Sequence, residues 1–235
     1  MPQQLTSKLL KITEECQDVK TFCIATPSNF TFLPGQFVML ALKENPAHAK
    51  AYSIASSPLK KGVIELTIKI EHYPEEEASK HLTPRLGRLK QGQEVIIKGP
   101  YGKFTLDETK SSYTFISAGT GIAPLMSMIR YLLDKKSAKQ ITLINCNKTP
   151  ETIIYRKELE SLKSKIKLIQ TISRPEESRE KITCCKGRIS KELIQKNITK
   201  QSIFYICGPT EMVKSTKTCL AGLGIKEELI KIELW

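Results

Sequence analysis

The sequence predicts two domains: an N-terminal antiparallel β-barrel over residues 1–109, then a C-terminal α/β domain over 110–235 whose doubly wound sheet has five parallel strands. Three observations predict it. The first hundred residues are short apolar runs parted by turn residues, the pattern of an antiparallel barrel or sandwich. After about Asp107 the order becomes apolar strand, turn, amphipathic helix, repeated, which argues a parallel sheet covered on both faces. Between the two lies the polar stretch DETKSS, Asp107 to Ser112. A chain of 235 residues is long enough to bury a core in each half.

The expected barrel strands are KTFCIAT, GQFVMLAL, KAYSIASS, GVIELTIKIEHY and QEVIIKG, separated by PG, KKG and QGQ. The polar segment from Glu75 to Lys90 interrupts them and is expected to hold a helix. In the second half YTFISAG precedes APLMSMIRYLLDKK, whose Leu125, Met126, Ile129, Leu132 and Leu133 share one helical face. QITLINC, IKLIQTIS, IFYICG and ELIKIELW read as the remaining strands. PETIIYRKELESLKSK, RISKELIQKN and PTEMVKSTKTCLAGLG are the helices between them.

Composition narrows the function classes. No apolar run reaches the roughly 18 residues of a membrane span, and the N-terminus lacks a basic head with an apolar core, so a cytoplasmic protein is expected. The seven cysteines form no CxxC pair, and with three histidines they complete no zinc or iron–sulfur pattern; no metal is expected. A net charge of +13 suits an acidic partner, whereas no basic stripe interleaved with aromatics points to nucleic acid.

Ligands of an open parallel sheet bind at the carboxyl ends of its strands. There the sequence has SAGTGIAP (Ser117 to Pro124), whose glycines admit a close ligand, and YICGPTEM, with Cys207 at a strand end. Lys148, Arg174 and Arg188 follow the next two strands and could hold a phosphate.

In order, PGQF, AYSIASSP, GPYGKF, GTGIAP, CGP and a terminal aromatic resemble the ferredoxin–NADP reductase superfamily over the whole chain. The resemblance implies FAD on the barrel and NAD(P)H on the α/β domain. Its R-x-Y-S flavin motif falls on Lys50, Ala51, Tyr52 and Ser53, with Tyr52 on the flavin ring and Ser53 near N5. Ile68, Lys69 and Ser79 are implied as further flavin contacts. Two departures stand out: Lys50 replaces arginine on the pyrophosphate, and Glu76 replaces the glycine that opens the family's short helix, which leaves FMN as an alternative.

For the nucleotide the resemblance implies Gly119, Thr120 and Gly121, then Cys207, Gly208 and Pro209. Ser173 with Arg174, Gly187 with Arg188, and Lys148 imply NADPH in preference to NADH. Glu233 and Trp235 fall on the family's C-terminal pattern, an aromatic covering the flavin. Ser53, Cys207, Glu233 and Trp235 are thus the implied catalytic residues. The implied activity is hydride transfer between NADPH and FAD, then single-electron transfer to or from an acidic ferredoxin or flavodoxin. The alternatives are an NAD(P)H:flavin reductase, the reductase subunit of a multicomponent oxygenase, or a non-catalytic nucleotide-binding regulatory or electron-transfer subunit.

Overall fold

A computed structural model of the chain describes residues 2–136, 138–180 and 184–234. It divides into two compact units, residues 1–106 with 126–135, and residues 107–125 with 136–235.

The first unit contains β1 (Gln3–Cys16), β2 (Val19–Ala25), β3 (Phe37–Leu42), β4 (Asn45–Ser53), β5 (Val63–Lys69), α1 (Glu75–Ala78), α2 (Leu82–Gly87) and β6 (Glu94–Tyr101). Its strands form one antiparallel sheet in the order β4-β3-β6-β1-β2-β5. The sheet curls until its two edges meet at a bridge between Ile54 and Leu66, reinforced by the Ala55 amide donating to the Glu65 carbonyl at 2.7 Å. Alternating apolar residues of the strands, among them Phe22, Ile24, Leu40, Ile64, Leu66 and Ile97, fill the interior. The expected helical segment is two short helices, and the strand expected to run through GVIELTIKIEHY stops at Lys69.

β1 is a strand that the reading of the sequence did not contain. It runs for 14 residues but buries only Ser7 and Leu9, so its apolar signal is faint. Backbone pairing explains its central place: Gln3–Lys8 pairs with β6, and Leu9–Cys16 pairs with β2 across a register shift between Leu9 and Lys11.

The second unit contains β7 (Ser112–Ala118), the start of α3 (Ile122–Asp134), β8 (Gln140–Asn147), α4 (Arg156–Leu162), β9 (Lys167–Ile172), β10 (Cys185–Lys186), α5 (Lys191–Asn197), β11 (Ile203–Gly208), α6 (Thr210–Gly222) and β12 (Ile230–Leu234). All of its strands are parallel, in the order β10-β9-β8-β7-β11-β12. The five expected strands are present, and the two-residue β10 adds a sixth by pairing Cys185 with Thr171 and Lys186 with Ile172. So short a strand carries no periodicity to read. One face of the sheet buries Ile116, Ile144, Phe204 and Ile206 under Ile194 of α5 and Val213 and Leu220 of α6.

The helix α3 is buried more completely than one apolar face requires, since every residue from Ile122 to Ile129 is buried. Its later residues belong to the first unit. There the Ser127 hydroxyl donates to the Ser56 carbonyl at 2.7 Å, and Arg130 donates to the Ala55 carbonyl at 2.8 Å and to Glu65 at 3.0 Å. The backbone carbonyls of AYSIASSP thus hold this segment, while the Ser56 hydroxyl accepts from the Glu65 amide at 3.1 Å.

Candidate functional site

In the first unit the implied flavin residues lie at the end of β4. Lys50, Ala51 and Tyr52 are partly buried, and Ser53 is 4% exposed. The Tyr52 and Ser53 hydroxyls are both buried, and neither has a hydrogen-bond partner among the described residues. A buried polar group left unpaired costs about 1–3 kcal/mol, so these two adjacent hydroxyls ask for an outside partner. Burial, and after it the charge of Glu71, pushes the Tyr52 phenol upward, so it stays a neutral donor. A phenol and a small hydroxyl at successive positions of one strand end fit the chemistry of a flat, hydrogen-bonding ring such as a flavin.

The rest of the implied flavin set is dispersed. Ile68 is in the barrel core and Lys69 is exposed at the end of β5. Ser79 is exposed where α1 ends, rather than opening a helix. Glu75, Glu76 and Glu77 occupy the first turn of α1 with their side chains in solvent. No local pattern marks Glu71, whose Oε2 lies 4.0 Å from Lys50 Nζ. It accepts a hydrogen bond from the Thr83 hydroxyl at 2.9 Å. Nearby, Tyr73 stacks on His81 with ring centroids 3.7 Å apart and planes 7° from parallel.

In the second unit the implied nucleotide residues gather where strand order reverses, between β7 and β11. The turn Gly119–Gly121 leads from β7 directly into α3, beside the end of β11. A Cβ on Gly121 would stand 2.4 Å from the Cys207 carbonyl oxygen, so only glycine lets the two junctions close. Gly119 has φ +56° and nothing near its Cβ position, which leaves an open backbone surface. Thr120 is partly exposed, Cys207 and Gly208 are buried, and Pro209 is exposed.

Register places a polar row across this sheet: Glu233 beside Cys207, then Ser117, Asn145 and Gln170. The Ser117 hydroxyl donates to Asn145 Oδ1 at 3.0 Å. Asn145 Nδ2, Gln170 Nε2 and Glu233 Oε2 are buried with no partner among the described residues. Burial raises the Glu233 carboxyl to about 7. Ser117, Asn145 and Gln170 escaped the sequence reading because each is one polar residue in an apolar strand, and only register aligns them. Trp235 lies outside the described residues.

The residues implied for a 2′-phosphate also converge. The Ser173 amide donates to the Asn147 carbonyl at 3.0 Å, the Arg174 amide to Lys148 at 2.9 Å, and the Gly187 amide to Ile172 at 2.7 Å. These bonds hold Lys148, Arg174 and Arg188 on three adjoining loops, all three exposed. Arg174 pairs with Glu177 at 3.1 Å, an exposed pair of little strength.

Comparison with known proteins agrees with this division. The oxidoreductase FAD-binding domain family matches residues 6–106, and the oxidoreductase NAD-binding domain family matches residues 115–218. The sulfhydrogenase 1 subunit gamma of Pyrococcus furiosus is 32% identical over 242 residues, covering 97% of this chain and 78% of that protein. The chain belongs to the ferredoxin–NADP reductase superfamily. Within that superfamily, the glycine betaine monooxygenase reductase subunit of Chromohalobacter salexigens is 32% identical over 227 residues. The match covers 92% of this chain but only 60% of the reductase subunit's length.

Solved reductase structures share the fold. A ferredoxin NADP+ reductase from Neisseria gonorrhoeae with bound FAD and NADP superposes with a TM-score of 0.80 at 22% identity, over 98% of both chains. The FAD/NAD-binding domain of nitric oxide dioxygenase from Vibrio cholerae gives 0.85 at 17% identity, again over 98% of both. As a superfamily member the chain has an FAD-binding and a pyridine-nucleotide-binding domain. Among the described residues, no helix is long and apolar enough to cross a membrane.

Proposed function

We propose that this chain is the reductase module of an electron-transfer system, oxidising NADPH and passing electrons singly to a separate acidic protein. The observation that carries the reading is the closure of the Gly119–Gly121 turn on Cys207 at the point where strand order reverses. It leaves a floor of backbone, with one small side chain, against which a nicotinamide can lie flat. Bound FAD supplies the exchange between two-electron and one-electron chemistry.

The chain's own residues bind and orient. Tyr52 offers a ring face and a hydroxyl to the flavin, Ser53 offers a hydrogen bond in little space, and Lys50 offers charge to the pyrophosphate. Cys207 limits how far the nicotinamide can slide. Glu233, whose carboxyl burial raises to about 7, can hold or release a proton beside Cys207. Lys148, Arg174 and Arg188 supply the charge that a 2′-phosphate needs, hence NADPH before NADH.

The net charge of +13 favours an acidic acceptor, either a ferredoxin or flavodoxin or, as the name of the glycine betaine monooxygenase relative suggests, an oxygenase component. Anaerobic stopped-flow reduction of the FAD-loaded chain by NADPH and by NADH tests the reading. Faster reduction by NADPH is expected. Equal rates would overturn the phosphate assignment, and a protein that stays colourless with added FAD would make it a non-catalytic nucleotide-binding subunit. Electron transfer to ferredoxin or flavodoxin should slow as salt rises; salt-independent rates would argue against a charge-steered partner.

A further inference from the structure

We infer that Glu71 is an internal counter-anion that competes with the flavin's pyrophosphate for Lys50, so that FAD is held as an exchangeable ligand rather than a permanent one. The inference rests on the FAD-binding role proposed for Lys50 and Tyr52.

Glu71 is exposed, but its carboxylate is tethered. Its Oε2 accepts from the Thr83 hydroxyl at 2.9 Å while its backbone amide donates to Thr83 Oγ1 at 3.4 Å, and Thr83 is 5% exposed. A buried hydroxyl on α2 thus clamps both the main chain and the side chain of Glu71. Tyr73 also bears on it: its phenol is pushed up by desolvation, then by the charge of Glu71 and a hydrogen bond to it. The Tyr73 ring is itself fixed by its stack on His81.

Held there, the carboxylate acts on both residues that face the flavin. It is 4.0 Å from the Lys50 ammonium, and its charge is one of the causes that raise the Tyr52 phenol. Glu75, Glu76 and Glu77, further along this segment, are exposed as Glu71 is. Lysine sharpens the competition: an ammonium is a single point charge, without the planar fork that lets arginine serve a carboxylate and a phosphate together. A pyrophosphate arriving at Lys50 must share that one charge with a carboxylate that the Thr83 hydroxyl holds nearby.

The test is titration of the flavin-stripped full chain with FAD and with riboflavin, which lacks phosphate, read by quenching of flavin fluorescence. Glu71→Gln keeps the Thr83 contact and removes the charge; because both partners are half-exposed, it should tighten FAD binding about threefold and leave riboflavin unchanged. Thr83→Val frees the carboxylate to swing into solvent and should tighten FAD by a smaller factor. In a Lys50→Met background the gain from Glu71→Gln should disappear, since the competition needs both partners. Unchanged or weaker FAD binding by Glu71→Gln and by Thr83→Val, each with an undisturbed thermal melt, overturns the inference alone, as does an equal gain for riboflavin. Failure of every variant and of the wild type to bind FAD overturns the flavin role of Lys50 and Tyr52, and the inference with it.

Discussion

The two candidate half-sites are built from different material. In the barrel unit the features facing a ligand are side chains: the unpartnered hydroxyls of Tyr52 and Ser53, and Lys50 held near Glu71. In the α/β unit they are mostly backbone: the Gly119–Gly121 turn, packed so tightly on Cys207 that a Cβ at Gly121 has no room. A side-chain site can be retuned by single substitutions, because the strand beneath it is paired through its backbone in any case. A backbone site tolerates no such drift, since adding one methyl moves two strand ends at once.

The largest expected effect breaks the backbone half. Gly121→Ala pushes a methyl against the Cys207 carbonyl; we expect about 2 kcal/mol of destabilisation, seen as a lower Tm, and at least a tenfold loss in the rate of flavin reduction by NADPH. FAD binding should be unaffected, and a loss of both would erase the contrast between the halves. Next, Arg174→Ala should weaken NADPH about tenfold, the value of one charge-assisted contact, and leave NADH unchanged when KM is measured for each.

A smaller effect sharpens the side-chain half. Ser53→Ala removes a buried hydroxyl that has no partner within the protein, so the flavin-free chain should be as stable as wild type or slightly more so. With FAD bound the same change should cost about 1 kcal/mol, and thermal melts with and without FAD read the reversal of sign.

The smallest effect depends on pH. Burial raises the Glu233 carboxyl from 4.5 to about 7, so the folded chain keeps a proton that the unfolded chain has lost. The resulting stability is fully present below pH 4.5 and is lost as pH rises through 7. Glu233→Gln should therefore raise Tm by about 3 °C at alkaline pH, roughly the effect of 1 kcal/mol in a chain of this size, and leave it unchanged in acid. Equal shifts at both ends of the pH range would mean that the carboxyl is not perturbed.

What could be read without the fold was whatever has a local signature. The runs FVMLAL, IFYICG and QITLINC announce strands by apolar content and length, and the helix from Ile122 announces itself by periodicity. β1 escaped because it is held by backbone bonds to two neighbours and buries few side chains; β10 escaped because two residues have no period. At the candidate site, the order of short motifs pointed to Tyr52, Ser53, Gly119, Gly121 and Cys207.

The sequence by itself therefore determined the class of each half and its motif residues, because propensity, periodicity and turn chemistry act between residues close along the chain. Only the tertiary structure decided that Ser117, Asn145 and Gln170 lie in line with Cys207, since that depends on the register of strands tens of residues apart. The same holds for the carboxylate that shadows Lys50. Glu71 stands 21 positions further along the chain, and only the closing of the barrel with the docking of Thr83 brings its charge to the strand of AYSIASSP.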